Sequence, residues 1–310
     1  MTTPTSRVSL VNEPGQVSVL KHVTILRPTP TSTQVLVKVA YAGLNYMNVA
    51  QRFGSFPTPF PFIPGREGSG RIIEVGSEVQ YGFKVGDCVA FMAPSTYPEY
   101  VAVDVVHLDK LPDHISYEQG HGAALVAQGL TAWSLVSRAY PVQKNDWAVI
   151  HTAAGGVGLI FSQLARRLGA HVIGTVSSED GAKYVVVIPR NSSYEGLEQK
   201  VQELTNGKGV HAVFDSIGKD TFESSINIAR LAGTLILFGS TSGSIPDFNI
   251  MRLMPKTLEV TWVVDVLEGE DAVKLEISKV YEFEDIQQVH LDFEGRKSTG
   301  KLLLKVAGDI

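Results

Sequence analysis

The stretch His151 to Gly158, HTAAGGVG, follows directly on the apolar run Trp147-Ala148-Val149-Ile150. Three glycines and two alanines in eight residues strip the backbone of side chains just where a strand should end. Glycine in such a place signals either a tight turn or a backbone that something must approach closely. Ala153, Gly155 and Gly158 fall on the three positions of a G-x-G-x-x-G frame. The frame follows a strand and opens a helix, the context in which it signals a dinucleotide. Gly155 would admit a pyrophosphate to the backbone, and Gly158 would let the helix pack closely on the strand. The helix N-terminus would offer N–H groups and partial positive charge to the anion. A plain strand-to-helix turn is the alternative reading.

Working outward, the pattern downstream alternates. GGVGLIFSQLARRLG reads as a helix closing at Gly169, and HVIGTV and YVVVI read as strands. HAVFDSIG and TLILFGS are two more strands, with the helical FESSINIARLA between them, while WAVIHT precedes the set. Continuous apolar strands alternating with helices predict a doubly wound parallel sheet covered on both faces. Upstream, ALVAQGLTAWSLVSRAY puts Leu125, Leu130, Trp133, Leu135 and Val136 at helical spacing before Pro141. Before Ala124 the chain changes texture. QVLVKVAYAG, SGRIIEVGSEV and GDCVAFMAP are short β-rich runs punctuated by Gly and Pro, which predicts a barrel-like sheet. KLLLKV, near the end, is a strand fit to rejoin that sheet. The expected organisation is an α/β domain at residues 125–266 inside a β-rich domain built from 1–124 and 267–310.

The kind of dinucleotide is read at the tip of the second strand. An NAD site places a carboxylate there, about 20 residues beyond the glycines, for the ribose 2′-hydroxyl. Here the tip reads Thr175-Val176-Ser177-Ser178, hydroxyls that suit a 2′-phosphate better than an acid would. NADPH is therefore expected; Glu179 and Asp180 argue the other way unless they face solvent in the first turn of a helix. N-capping such a helix is the other use for Ser177 and Ser178. Yet only the seven residues Ser177 to Lys183 separate HVIGTV from YVVVI. A parallel crossover needs a dozen or more, so the spacing points to about ten residues missing between Asp180 and Gly181. A natural deletion with an extended link is the alternative. A second abrupt join lies at Trp262-Val263. FDSIGKD and LFGSTSG place small residues at the carboxyl ends of later strands, where ligands bind in open α/β sheets. Phe238, Gly239 and Ser240 are thus expected beside a nicotinamide, ordinary strand-to-loop turns being the alternative.

Bulk properties narrow the classes. The 310 residues are enough for two domains, and 44% hydrophobic with 19% charged is the balance of an ordinary globular protein. A net charge of -5 gives no field to gather nucleic acid or an acidic membrane. The single cysteine, Cys88, excludes an internal disulfide and a multi-cysteine zinc site, and it suits a reducing compartment. MTTPTSRVSL has no apolar leader core, and no apolar run approaches the roughly 20 residues that span a bilayer. A cytoplasmic protein is expected. The eight histidines show no metal-binding spacing and no G-x-S-x-G occurs, which leaves metalloenzyme and hydrolase readings without residues.

GLNYMN, FIPGREGSGRIIEVGSEV, FKVGDCVA, QGLTAW, AAGGVGLIFSQLARRLGAHVIGTVSS, NGKGVHAVFDSIG and EGRKSTGKLLLK run in order along nearly the whole chain. Together they resemble the zinc-free quinone oxidoreductase (zeta-crystallin-like) branch of the medium-chain dehydrogenase/reductases. The resemblance implies a GroES-like barrel domain around a Rossmann domain, NADPH as cofactor, and a homodimer. It implies Asn45 at the nicotinamide ribose or the substrate, and Tyr46 as a hydrogen-bond donor to a developing oxyanion. It implies Gln128 and Thr131 beside the nicotinamide, Gly155, Gly156, Val157 and Gly158 at the pyrophosphate, and Ser177 and Ser178 on the adenosine side. The lysine that usually follows for the 2′-phosphate would fall in the missing segment. Zinc-dependent relatives carry a cysteine where Asn45 stands, and Gly-His-Glu where Gly65-Arg66-Glu67 stand. Without those ligands no tetrahedral zinc site assembles there. Hydride transfer without a Lewis acid then favours quinones or enones, whose reduced products are delocalised, over plain ketones. Gly54-Ser55-Phe56-Pro57 departs from the family's Gly-x-Tyr-Pro, and Phe56 cannot donate a hydrogen bond; more apolar enones are expected to be preferred. A core-facing tyrosine is the alternative for Tyr46.

Two other functions stay open at this level. One is an enoyl reductase for carrier-bound acyl chains, which would want a basic docking patch. The other is a non-catalytic NADPH- or RNA-binding protein, for which the only dense basic pairs are Arg166-Arg167 and Arg296-Lys297.

Overall fold

The computed structural model describes residues 4–112, 115, 120–176, 186–189, 195–262, 275–295 and 298–307. The chain divides into two compact units, Met1–Ala127 with Ile277–Ile310, and Gln128–Glu276. The first unit begins with β1 (Thr5–Val11), β2 (Leu20–Leu26), β3 (Gln34–Gly43), α1 (Tyr46–Phe53), β4 (Glu67–Val75), β5 (Cys88–Met92), β6 (Tyr100–Asp104) and β7 (Leu108–Lys110). Helix α2 (His121–Ser134) carries the unit boundary. The second unit holds β8 (Trp147–Ile150), α3 (Gly156–Arg167), β9 (His171–Val176), β10 (Val186–Pro189), α4 (Glu195–Leu204), β11 (Val210–Asp215), α5 (Phe222–Ile228), β12 (Ala229–Leu237) and β13 (Glu259–Trp262). β14 (Ile277–Glu282), α6 (Ile286–Glu294) and β15 (Lys301–Lys305) belong again to the first.

The first unit is organised around β3. Its ten residues pair antiparallel with β4, with β6 and with β15, so KLLLKV does rejoin the first sheet. The sheet runs β14-β15-β3-β4-β5-β7, with β6 on β3. Val35, Val37 and Val39, two residues apart, join Val89, Phe91, Leu302 and Leu304 in one core, the period expected of a strand facing a packed interior.

The second unit is a six-stranded parallel sheet ordered β10-β9-β8-β11-β12-β13. Numbered from β8, that order is 3-2-1-4-5-6, the doubly wound Rossmann arrangement. Both faces are covered. Ala148 and Ile150 share a cluster with Phe161 and Leu164 of α3, whereas Val149 packs with Leu197 and Val201 of α4 and Phe222 of α5.

Three elements end earlier than the sequence pattern suggests. The strand in WAVIHT stops at Ile150, and residues 151–154 form a turn. The long helix from Ala124 is α-helical only to Ser134, after which Leu135–Ala139 widen into a π-turn. In FESSINIARLA the helix stops at Ile228, and Ala229-Arg230-Leu231-Ala232 start β12. Ala229 pairs there with Val210, ahead of a bulge. The carbonyls freed at the helix end are satisfied by Lys256, whose Nζ donates to the Ile226, Asn227 and Ala229 oxygens at 3.0, 2.6 and 2.8 Å.

β10 lies parallel to β9, from Val186 opposite Ile173 to Pro189 opposite Val176, after the nine residues 177–185. That link, with Ser177, Ser178 and the expected break at Asp180-Gly181, lies outside the described residues, as does Val263. Among the described residues no helix is long and apolar enough to cross a membrane.

Candidate active site

β8 ends where the strand order reverses, so HTAAGGVG sits at the crevice of the sheet. Its glycines stand there for different reasons. A Cβ on Gly158 would lie 2.5 Å from the Thr152 oxygen and 2.7 and 2.9 Å from Ala153 Cα and C, so α3 packs against the turn through bare backbone. A Cβ on Gly156 would strike the end of the Gln128 side chain, 2.0 Å from Oε1. Two of the residues expected at the cofactor, Gly156 and Gln128, are thereby brought together. Gly155 is different. Its φ of -76° and ψ of 166° suit any residue, and an added Cβ would come no closer than 3.2 Å to the Thr152 oxygen. The backbone does not require glycine at 155, and packing asks of an added Cβ only that the Thr152 carbonyl give by a few tenths of an ångström. Val157 is half-buried in the first turn of α3, and Gln128 and Thr131 are half-buried one turn apart on α2.

The neighbouring loops are stitched to this turn. Thr152 Oγ1 lies 2.7 Å from Ser216 Oγ, just beyond β11. The Thr241 and Ser242 amides donate to the Ser216 and Ile217 oxygens at 3.2 and 2.9 Å. A Cβ on Gly239 would meet the Ser216 oxygen at 2.8 Å. Phe238, Gly239 and Ser240 thus form a loop laid directly on Ser216.

Beneath the loops runs a buried polar chain that the sequence reading did not assign. Asp215 Oδ1 accepts from the Ile217 and Gly218 amides and from Thr221 Oγ1, at 2.8, 3.0 and 2.9 Å. Its Oδ2 accepts from Ser225 Oγ at 2.9 Å. The Ser225 oxygen is then free to accept from His151 Nε2 at 3.1 Å, which leaves His151 Nδ1 to accept from Thr175 Oγ1 at 3.0 Å. The first residue of the quoted stretch therefore ties β8 to β9 and, through Ser225 and Asp215, to β11. Every link is a hydrogen bond between buried groups, whose loss costs more than at the surface.

In the first unit, Asn45 precedes α1, and Tyr46 opens it with 41% of its surface exposed, so a core-facing Tyr46 is not what forms. The Asn45 amide N–H donates to Asn48 Oδ1 at 2.8 Å, which fixes the start of the helix. The Asn45 side chain is held at both ends. Its Nδ2 donates to Glu67 Oε1 at 2.7 Å, and its Oδ1 accepts from Lys301 Nζ at 2.9 Å. Lys301 also donates to the Leu44 oxygen at 3.0 Å and pairs with Glu67 Oε1. Glu67 Oε2 accepts from the Ala127 amide at 2.8 Å. Lys301 is 2% and Glu67 0% exposed, and burial pushes the Lys301 ammonium below the ordinary lysine range while Glu67 pulls it back. Gly43 makes room for the pair, since a Cβ there would lie 2.3 Å from Glu67 Oε1 and 2.7 Å from Lys301 Cε.

The buried face of α1 is polar. Arg52 is fully buried, pairs with Glu294 and donates to the Gly15 oxygen at 3.0 Å. Among the described residues, His290 on α6 has hydrogen-bond partners for neither ring nitrogen; burial, and then the Arg52 charge, push its imidazole down to about 3. The residues standing where relatives hold zinc do not fit the metal. Asn45 offers an amide already held by two charges, Arg66 offers a cation, and Glu67 has both oxygens engaged. Among the described residues no group of three or more His, Cys, Asp or Glu could hold a metal ion.

The "Alcohol dehydrogenase GroES-like domain" family model matches residues 31–113, and the "Zinc-binding dehydrogenase" model matches 156–275. A probable quinone oxidoreductase of Schizosaccharomyces pombe is 36% identical over 323 residues, covering 97% of each chain. The chain belongs to the quinone oxidoreductase branch of the medium-chain dehydrogenase/reductases. The aligned span is longer than the 310 residues of this quinone oxidoreductase relative, so the yeast protein carries residues that it lacks. Its fold matches the Escherichia coli quinone oxidoreductase complexed with NADPH at a TM-score of 0.87 and 29% identity, over 97% of this chain and 99% of that one. It matches a mycobacterial protein complexed with NADPH at 0.89 and 30%, over 96% and 99%.

Proposed function

We propose that this chain is an NADPH-dependent oxidoreductase that passes a hydride, without zinc, to a quinone or to the β-carbon of an α,β-unsaturated carbonyl. The observation that carries the reading is Gly155: a glycine at the crevice of the sheet that its backbone does not require and that packing demands far less than at Gly158. Close approach of a pyrophosphate supplies the reason. The NADPH complexes of the two related structures support the choice of dinucleotide. When bound, the dihydronicotinamide supplies the hydride. The first amides of α3, with Gly155, Gly156, Val157 and Gly158, hold the pyrophosphate. Gln128, Thr131, Phe238, Gly239 and Ser240 line the nicotinamide, and Ser177 and Ser178 the adenosine end. Asn45 meets the ribose or the substrate, and the exposed Tyr46 hydroxyl donates to the oxygen on which charge develops.

The misfit of Asn45, Arg66 and Glu67 to zinc supports a metal-free reaction. Such a site has no Lewis acid for a plain ketone, and so it takes acceptors that delocalise the added electrons. The enzyme is read as a cytoplasmic homodimer with small-molecule substrates and no nucleic-acid partner, in keeping with its net charge of -5 and the resemblance. The test mixes chelator-treated protein with NADPH or NADH and follows absorbance after 1,4-benzoquinone, 9,10-phenanthrenequinone or an alkenal is added. Turnover faster with NADPH than NADH is expected. NADPH binding without turnover would replace the reading with a carrier-bound substrate or a binding role. No binding would refute it.

A further inference from the structure

We propose that Lys301 and Glu67 are positioning residues for the reaction, a fixed pair of opposite charges that dictates which end of the Asn45 carboxamide faces its partner. The inference rests on the reading that Asn45 meets the nicotinamide ribose or the substrate.

An amide can turn over by half a rotation and present nitrogen where oxygen stood, with nearly the same shape. Here the two arrangements are far from equal. In the observed one, Asn45 Oδ1 meets the Lys301 ammonium and Nδ2 meets the Glu67 carboxylate. The reverse would set an N–H donor against a cation and an oxygen against an anion, where no water screens either contact, because both charges are buried. Oδ1 is also tied to the Asn48 amide by the capping box that starts α1, so what the carboxamide offers a partner is the second N–H of Nδ2, whose direction follows from the two charges.

Lys301 uses its protons inside the protein. Its three N–H bonds match three acceptors, the Leu44 oxygen, Asn45 Oδ1 and Glu67 Oε1. Each N–H is thus directed at a protein oxygen, which makes Lys301 a positioning group. Glu67 is likewise occupied on both oxygens, by Lys301 and Asn45 on one and by the Ala127 amide on the other. The arrangement draws together β4, the start of β15, the end of β3 and a turn of α2. A buried ion pair is poor value for stability alone, since desolvation offsets most of the attraction. Its distinct capability is to enforce one orientation.

The test compares wild type, Lys301→Met, Lys301→Ala, Glu67→Gln, Asn45→Ala and the double variant Lys301→Met/Asn45→Ala. It measures kcat and KM for NADPH with 1,4-benzoquinone, together with the melting temperature of each protein. Lys301→Met is expected to lower kcat on the order of 100-fold while KM for NADPH moves less than about 5-fold. Asn45→Ala should fall comparably, and the double variant no further than the worse single one, because both changes remove the same oriented amide. Methylammonium should restore part of the kcat of Lys301→Ala, a response that a merely structural lysine would not give. Wild-type kcat in Lys301→Met, or losses that multiply in the double variant, would overturn the proposal. Should Lys301→Met not fold, Glu67→Gln decides: it keeps the shape and removes the charge, and an unchanged kcat overturns the proposal equally. Failure of wild type to oxidise NADPH with any acceptor is a separate result, visible before any variant is made, and it removes the reading on which the proposal stands.

Discussion

Replacing each glycine of HTAAGGVG by alanine separates the needs of the fold from those of a ligand. At Gly158 the new methyl carbon would sit 2.5 to 2.9 Å from three backbone atoms of Thr152 and Ala153, about 1 Å inside ordinary contact, and the turn itself must yield. Overpacking of that kind costs roughly 1–3 kcal/mol, and the better helix propensity of alanine returns at most about 1. A net loss of about 1–2 kcal/mol lowers the melting temperature by roughly 2–8 °C in a domain of this size. At Gly155 the only tight approach is 3.2 Å, to the Thr152 oxygen, and the backbone is already in a region open to alanine. The small strain is offset by about 0.4–1 kcal/mol from the stiffer unfolded chain, so stability should hardly change. In the function proposed above, the methyl group nevertheless stands where the pyrophosphate would come against the backbone. NADPH affinity should fall at least about tenfold, equivalent to about 1.4 kcal/mol. Gly156→Ala should fall between the two, because the clash is with the movable end of Gln128. Thermal melts and fluorescence titration with NADPH measure both quantities on the same samples. If Gly155→Ala binds NADPH as tightly as wild type, the glycine does not serve the ligand and the argument from it fails. If Gly155→Ala melts as low as Gly158→Ala, packing explains both.

Two further outcomes follow from the buried polar groups. His290 stays neutral in the folded state down to about pH 3, whereas an unfolded histidine takes its proton near 6.5. The unfolded state therefore binds more protons between those values, and stability is lost as pH falls: about 2 kcal/mol from pH 7 to pH 5 for this residue. His290→Leu should flatten the difference in urea unfolding between pH 7 and pH 5 by that amount, and an undiminished difference would show that His290 is not its source. Ser225→Ala leaves Asp215 Oδ2 and His151 Nε2 each short of a partner in the interior. It should cost about 2–4 kcal/mol in urea unfolding, against under about 1 for an exposed serine, and a neutral result would mean that water replaces the hydroxyl.

The parts of this molecule that can be read from sequence are those whose cause is local. The glycine stretch, its strand and its helix are set by neighbours within ten residues, and the pattern shows them. The end of α5 is not set that way. Ile228-Ala229-Arg230-Leu231-Ala232 is as good a helix as a strand by residue type, and the choice is settled by Val210 across the sheet and by Lys256 capping the freed carbonyls. The clamp on Asn45 is harder still. Lys301 and Glu67 are 234 residues apart, and a lysine opening an apolar strand reads as a solvent-facing end. The trace it leaves is Gly43. That glycine closes β3 without a positive φ and has no turn to make, so it passes for punctuation, yet any side chain there would occupy the space of the ion pair. Gly155 has the same signature, a glycine that its own backbone does not need. In both places the missing side chain marks a volume claimed from outside the segment: by a distant pair of charges at Gly43 and, in the function proposed above, by the cofactor at Gly155. A glycine excused by neither φ nor turn is thus a pointer to a site, and telling which kind of occupant it serves requires the fold that brings the occupant's partners together.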